Sequence, residues 1–565
     1  MSGAATKPAA RSYFEQRWFT RAMEILPGSV TWLTLLLPIL LSLTEPILVA
    51  YFIIAYDLYW TAKSFRLSAN LIRGYRRLHA AQKLDWNGRL RELTDISGAI
   101  ADTKRRMADM VKAHPAIDSR WGIGPRRGLR ATYAQLGSDM TRLEALEPRQ
   151  KGIMDPSQIY HAVLLATYNE SMDILDPSVQ SLTQVDFPLD QLMLVIAYEE
   201  RGGEQTERNA HELVKRYGDK FALCIAVKHP DGVAGEVRGK GGNISHAGRV
   251  LTEEVRRRGI DPEQVIVTTF DSDHRSSKNY FSYLSYLYAT DTNRIHKSYQ
   301  PIPMFYNNIW DVPAPMRVLA TGNSFWLLME TMRPHRLRNF AAHAQSLEAL
   351  IRTDYWSVTS IVEDGHQYWR SYFAFNGDHE VVPVFTPVYQ DAVLAATYVK
   401  TFKVQFLQLR RWSWGVSDFP FVMRNALANK SIPWSNKGIQ IGRLFESHFS
   451  WATAPLILTF VGWLPLYLNK EFAYQSLAHN LPIITSRILT LASITIVITV
   501  LLSLISLPPK PARYRGTKYI GMLAQWILLP AVSIGFGALA ALNSQTRLMF
   551  GKYLEFYVTE KATKK

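Results

Sequence analysis

The stretch "QVIVTTFDSDH", residues 264–274, decides the fold. Its uncharged run "VIVTTF", rich in β-branched residues, has the composition of a buried strand, and it stops abruptly at Asp271-Ser272-Asp273. Three earlier segments have the same form: "IYHAVLLATYNE" from Ile159, "QLMLVIAYEE" from Gln191 and "KFALCIAVKH" from Lys220. Helical stretches such as "ERNAHELVKRYG" and "GNISHAGRVLTEEVRRRG" separate them. Strand and helix alternating in this way imply a parallel sheet with helices on both faces. Ligands of such sheets bind at the carboxyl ends of the strands, where the polar residues fall here.

Outside this middle the chain changes character. It has 565 residues, a net charge of +16 and 47% hydrophobic residues, so several domains or a membrane part are expected. Val30 to Trp60 is uncharged except for Glu45 and Asp57, too long for one perpendicular spanning helix of about 20 residues. Glu45-Pro46 breaks it, which predicts a helical hairpin over roughly 24–43 and 47–66. Further apolar segments follow at 451–468, 486–507 and 519–542; the first could be a buried soluble helix, but the second has an uncharged run long enough to span.

The loops after the hairpin and at 508–518 are strongly basic, which puts them and the middle region on the cytoplasmic side. Lys7, Arg11, Arg17 and Arg21 precede no signal-peptide core, so the N-terminus is expected there too. A single cysteine, Cys224, excludes an intramolecular disulfide and a cysteine metal cluster. Residues 85–150 have helical periodicity with mixed charge, read as a solvated helical hairpin on the main domain. Anionic lipid accounts for the juxtamembrane positive charge, and no nucleic acid is expected as a partner. The expected organisation is 1–66, N-terminal segment and membrane hairpin; 67–155, helical region; 156–430, catalytic domain; 431–449, interfacial helices; 450–545, C-terminal membrane block; and 546–565, tail.

Four clusters carry chemistry. Asp271 and Asp273 at a strand end can hold one hard cation bridging a diphosphate, or either can cap a helix. In "RGKGGNISHA" (238–247), Lys240 offers a point charge to a phosphate and Gly241 and Gly242 let a ligand approach the backbone, although such loops are also simple turns. Its spacing fits neither the Walker loop nor the dinucleotide fingerprint. Glu363-Asp364 can supply a general base or cap a helix start. Gln408, Arg411 and Trp412 can set a guanidinium on a phosphate and an indole on a sugar face, or form an ordinary amphipathic helix.

Taken in order, "ATYNE", "KGGN", "DSD", "VED" and "QLRRW" resemble the inverting family-2 glycosyltransferases, and more narrowly the processive membrane synthases of the cellulose, chitin and hyaluronan synthase group. The resemblance covers about 158–420, with the flanking membrane blocks extending it. It implies an α/β GT-A nucleotide-sugar-binding domain between transmembrane blocks, a UDP-sugar donor, Mg²⁺ or Mn²⁺, and a β-linked polysaccharide product extruded across a bacterial inner membrane. The acceptor would be a glycan, or a lipid carrier if addition is single; an accessory export partner is compatible with it, and an inactive scaffold or transporter would have lost the acidic residues that are present.

The resemblance also implies roles. Thr167, Tyr168 and Glu170 match the uridine pocket, Lys240 and Asn243 the nucleotide contact, and Asp271 and Asp273 the diphosphate and metal pair. Asp364 matches the catalytic base with Glu363 as its neighbour, and Gln408, Arg411 and Trp412 match the motif on the diphosphate and acceptor. "ATGNSF" (320–325), with Gly322, Asn323 and Ser324, falls where the family has an acceptor-binding strand turn. The family's acidic residue after the second strand is Asp, so Glu199 or Glu200 must serve here. "FYVTEK" is similar to a gating loop, implying that role for Phe556, Val558, Thr559 and Lys561 and a cytoplasmic C-terminus. Three single spans after the catalytic domain would leave that terminus outside; Pro530, Gly535 and Gly537 predict a broken, partly re-entrant element that removes the conflict.

Overall fold

The computed structural model describes residues 17–114 and 126–557. The sheet-forming region carries eight strands: β1 (Tyr160–Thr167), β2 (Leu192–Glu199), β3 (Leu223–His229), β4 (Val265–Asp271), β5 (Arg275–Ser276), β6 (Lys297–Met304), β7 (Ala344–Ser346) and β8 (Glu380–Tyr389). They form one sheet in the order β3-β2-β1-β4-β7-β6-β8-β5. The first four are mutually parallel, while β7 pairs antiparallel with both β4 and β6, so the sheet is mixed. Register aligns Thr167 with Tyr198, Glu199 with His229, and Ala166 with Asp271, which brings the polar strand ends to one edge.

Both sheet faces are covered, which is why these strands read as unbroken apolar runs. Helices Met172–Leu182, Gly203–Tyr217 and Tyr280–Thr290 bury Leu175, Leu213 and Phe281 against Val163, Leu194 and Phe270 on one face. Helix Lys240–Arg257 buries Ile244, Leu251 and Val255 against Leu164, Val195 and Val267 on the other. The helical pair Ile96–Ala113 and Arg126–Leu146 packs through Ile96, Ile100 and Leu143, and Trp86 stacks on Tyr283 at 3.8 Å to join this region to the sheet domain.

This α/β domain lies in the chain between apolar helices. Among the described residues, Arg17–Thr44, Trp434–Leu468, Ser476–Ile505 and Lys518–Met549 are long and apolar enough to cross a membrane, the mark of a membrane protein. In Ser476–Ile505 only 11% of the apolar window is buried, so its greasy surface faces outward. Three expected boundaries fall inside helices, among them 545/546 within Leu539–Met549. Helix Pro46–Gln82 runs through 66/67, and helix Trp434–Phe460 runs through 449/450, because neither junction carries a Pro or Gly that would stop it.

Segment 518–549 is irregular: α-helix, a 3-10 turn at Gln525–Leu528, a second α-helical turn, a π-helical stretch at Ser533–Ala538, then helix Leu539–Met549. Pro530 and two glycines in the π stretch account for the breaks. Long and apolar enough to cross, it packs both on the apolar helices, where Gln545 accepts from Thr31 at 2.6 Å and donates to the His448 carbonyl at 2.9 Å, and on the α/β domain. Tyr519 meets Trp310, Gln525 accepts from the buried Arg317 at 2.6 Å, Trp526 and Val532 pack on Val318, and Ser544 donates to the Arg410 carbonyl at 2.6 Å.

Candidate active site

The carboxyl edge of the sheet gathers four charged or titratable groups. Lys240, the first residue of its helix, reaches Asp271 at 2.8 Å and Asp364 at 3.6 Å. Asp364 lies in the first turn of helix Glu363–Ala374, whose N-cap position is Val362 and carries no side-chain cap bond. Asp271 caps no helix either, since the next one begins at Tyr280 after Asn279. Lys240 thus sits between two carboxylates drawn from β4 and a distant helix.

His343, on the loop before β7, completes the group and was missed in the sequence. Its Nδ1 lies 3.4 Å from Asp364 and 2.9 Å from the Phe340 carbonyl, while its Nε2 accepts from the Trp356 indole at 3.0 Å. Because Nε2 accepts, the neutral ring carries its proton on Nδ1, facing Asp364. Burial pushes the Asp364 carboxyl upward, but Lys240 and His343 outweigh it and hold the group below its ordinary range. Glu363 moves the other way: burial and then the neighbouring Asp364 charge raise it to about 7, against the pull of Lys240 and Arg411. Lys240 is raised, since Asp271, Asp364 and Glu363 together overcome its burial. At neutral pH Asp364 is an ionised carboxylate beside a fixed cation.

Ligand atoms of Asp271, Asp273 and His274 lie within 4.8 Å of one another. The Asp271 backbone N–H donates to His274 Nδ1 at 3.1 Å, so the ring proton sits on Nε2, 3.6 Å from an Asp271 carboxylate oxygen. His274 thus stands beside Asp271 within ligand reach of the same point. The paired carboxylates fit a hard divalent cation, with Asp273 held by the Asp391 backbone N–H at 2.8 Å.

Other expected residues take specific places. Glu170 accepts from the Thr167 hydroxyl and the Tyr168 amide, each at 2.8 Å, and from the Asn169 amide at 3.2 Å, which fixes the loop after β1. Tyr168 lies under the Arg201 guanidinium at 4.5 Å, and Arg201 pairs with the buried Glu199. Arg201, which no motif flagged, leaves Nη2 buried without a partner beside this loop. Glu200 turns to the Asp231 amide at 3.1 Å. Asn243 is buried and donates to the Ala197 carbonyl at 2.8 Å, tying the helix to the end of β2. The glycines serve protein packing: a side chain at Gly241 would collide with the Ser357 carbonyl, and one at Gly242 with Glu236.

Helix Tyr398–Ser413 brings Arg411 to the Ile361 carbonyl at 3.4 Å, two residues from Glu363. Gln408 accepts from Gln405 at 3.0 Å, and half-buried Trp412 lies 6.3 Å from Phe305. The tail arrives at the same place. Phe556 covers Arg411 at 4.7 Å and would lie 3.2 Å from a Cβ on Gly239, next to Lys240. Val558, Thr559 and Lys561 lie outside the described residues.

One expectation is corrected. Gly322, Asn323 and Ser324 form no strand turn; they are in the middle of helix Ala314–Glu330, with Ser324 buried and accepting from the Phe305 amide at 3.3 Å. Packing of this helix on Ile302, Met304 and Leu71 overrides the weak helix propensity of Gly and Asn.

No family model matches the chain, and no curated protein matches it. Solved structures are similar at low identity. The mannosyltransferase PcManGT from Pyrobaculum calidifontis, in complex with GDP-Man and Mn²⁺, is 12% identical with a TM-score of 0.39, over 86% of this chain and 100% of that one. S. aureus TarS 1-349 in complex with UDP-GlcNAc is 14% identical with a TM-score of 0.33, over 70% and 93%. GalNAc-T7 with UDP, GalNAc and Mn²⁺ is 10% identical with a TM-score of 0.32, over 52% and 59%. Likeness at these identities and TM-scores assigns no activity to this chain.

Proposed function

We propose that the protein is a membrane-bound, inverting glycosyltransferase of the family-2 type, with a GT-A domain on the cytoplasmic side, that transfers sugar from a UDP-sugar to a growing β-linked glycan. The observation that carries this reading is the ionised Asp364, set between Lys240 and His343 at the strand edge that also bears Asp271. Asp364 takes the proton of the acceptor hydroxyl as its oxygen attacks the anomeric carbon from the face opposite the nucleotide. One base and no enzyme nucleophile suffice, and an α-linked donor yields a β-glycoside. A divalent cation held by Asp271 and Asp273 would neutralise charge on the departing diphosphate.

Lys240 keeps Asp364 ionised, and Phe556 with Arg411 closes the side of the cleft next to Gly239. Single addition to a lipid-linked acceptor would use the same site. Purified full-length protein with a panel of UDP- and GDP-sugars and Mg²⁺ or Mn²⁺, followed by product sizing and anomeric assignment by NMR, tests both. Long β-linked chains support the first reading and one-sugar products the second. Absence of turnover across the panel removes the activity.

A further inference from the structure

Where two apolar helices meet the α/β domain, charge is out of balance. Helix Pro46–Gln82 presents Lys63 and Arg66, helix Trp434–Phe460 presents Arg443 and Glu446, and the turn after Glu330 presents Arg333, Arg336 and Arg338. Glu446 bridges Lys63 at 2.8 Å and Arg336 at 2.6 Å, and Glu330 pairs with Arg333. Arg443 donates to the His335 carbonyl at 2.6 Å, and Arg338 to Gln440 at 2.6 Å. Six cations therefore share two carboxylates. The crowding is visible in the groups outside the apolar helices. Burial pulls Arg333 below its usual value, Glu330 opposes this, and Arg336 and Arg66 add to the fall; its Nε is buried without a partner. Burial lowers Arg338 too, with Arg443 and Arg336 adding to it.

The cluster's height is fixed by its neighbours. Lys63 lies 4.2 Å from the Trp60 ring, beside the exposed Tyr59 and Leu58, and Arg66 is two turns beyond Leu58. Trp and Tyr at the end of an apolar helix mark the headgroup level, and a rise of about 1.5 Å per residue keeps Lys63 and Arg66 within roughly 10 Å of it. On the other helix Arg443 and Glu446 directly precede the apolar part that starts near Phe449. We propose that this cluster binds the phosphate of an anionic phospholipid headgroup, which supplies the negative charge that Glu330 and Glu446 leave unmet.

The test uses full-length protein, delipidated in non-ionic detergent, titrated with short-chain fluorescent phosphatidylglycerol and phosphatidylcholine. Phosphatidylglycerol should bind preferentially, and Arg66→Gln with Arg443→Gln should weaken it by about 30-fold, the equivalent of about 1 kcal/mol per cation. Phosphatidylcholine binding should not change, and the Arg66→Lys, Arg443→Lys pair should retain most of the affinity. Equal binding of the two lipids, or an unaltered preference in the Gln pair, overturns the proposal. Displacement of phosphatidylglycerol by an equal concentration of inorganic phosphate also overturns it, since the site would then serve a free anion. Should the Gln pair not fold, salt decides: wild-type phosphatidylglycerol affinity must fall with added NaCl, and salt-insensitive binding refutes a charge-built site.

Discussion

Replacing Lys240 with Met keeps the length of the side chain and deletes the one cation between Asp271 and Asp364. At 2.8 Å and 3.6 Å, and an effective dielectric of about 20, the two attractions are worth about 6 and about 5 kcal/mol before desolvation. Asp271 is 36% exposed, so its share is heavily screened, and removing one partner of such a buried group leaves a net loss of about 3 kcal/mol. At roughly 2–4 °C per kcal/mol, unfolding of the domain in detergent should shift down by roughly 6–12 °C at neutral pH.

The sign of the pH dependence is specific. In wild type the Asp364 carboxyl is depressed, so its stabilisation is present above the unfolded value and is lost as pH falls through the folded one. In Lys240→Met burial dominates and the group rises, so the variant's deficit should shrink on acidification, as Asp364 takes a proton. Turnover should show the same change: the acid limb of the pH–kcat/KM profile moves to higher pH, with about tenfold lost for each unit that the carboxyl rises above the assay pH. Paired melts and rate profiles across the acid range check this. A variant with the wild-type acid limb and melting temperature would refute the claim that Lys240 holds Asp364 ionised.

Asp364→Asn should cut transfer by about 100 to 10,000-fold while leaving donor binding intact by calorimetry, since the amide cannot accept the proton. Glu363→Gln should leave the acid limb of the rate profile where it is, because Glu363, raised to about 7, is already protonated where the depressed Asp364 titrates; a shifted acid limb in the same profile would refute this order of titration. Excess chelator should abolish turnover, and Asp273→Ala should weaken donor binding and raise the Mn²⁺ concentration needed for half-maximal rate. Phe556→Ala should lower turnover about tenfold without changing the melting temperature, as expected for loss of a contact over Arg411 made on closing; equal losses in both would indicate plain packing.

The parts of the molecule that could be read from the chain are those with local causes. β1, β2 and β4 are parallel and buried on both faces, with β3 partly buried at the sheet edge, so each is an apolar run that ends where its polar residue meets the cleft, and Asp271 could be placed by that rule alone. The rest of the sheet follows a different logic. β6 carries Pro301 and Pro303 and β8 carries Pro383 and Pro387, which argue locally against strands, yet a bulge between Pro301 and Ile302 absorbs the misfit where the two pair.

β7 is three residues long and has no pattern of its own. It exists because Ala344, Gln345 and Ser346 pair with Thr268, Val267 and Ile266, nearly eighty residues earlier. His343 owes its position beside Asp364 to that pairing, and so could not be found by spacing. The same cause bears on 320–325, where the resemblance implies a strand turn: the environment there is the helix and core of Ile302, Met304 and Leu71, contributed by other segments. A site built half from parallel strand ends and half from later segments therefore shows in sequence only those side chains that sit in motifs, here Lys240, Asp271, Asp273 and Asp364. The proton-holding side, His343 with its Trp356 donor, becomes visible only once the strands are paired.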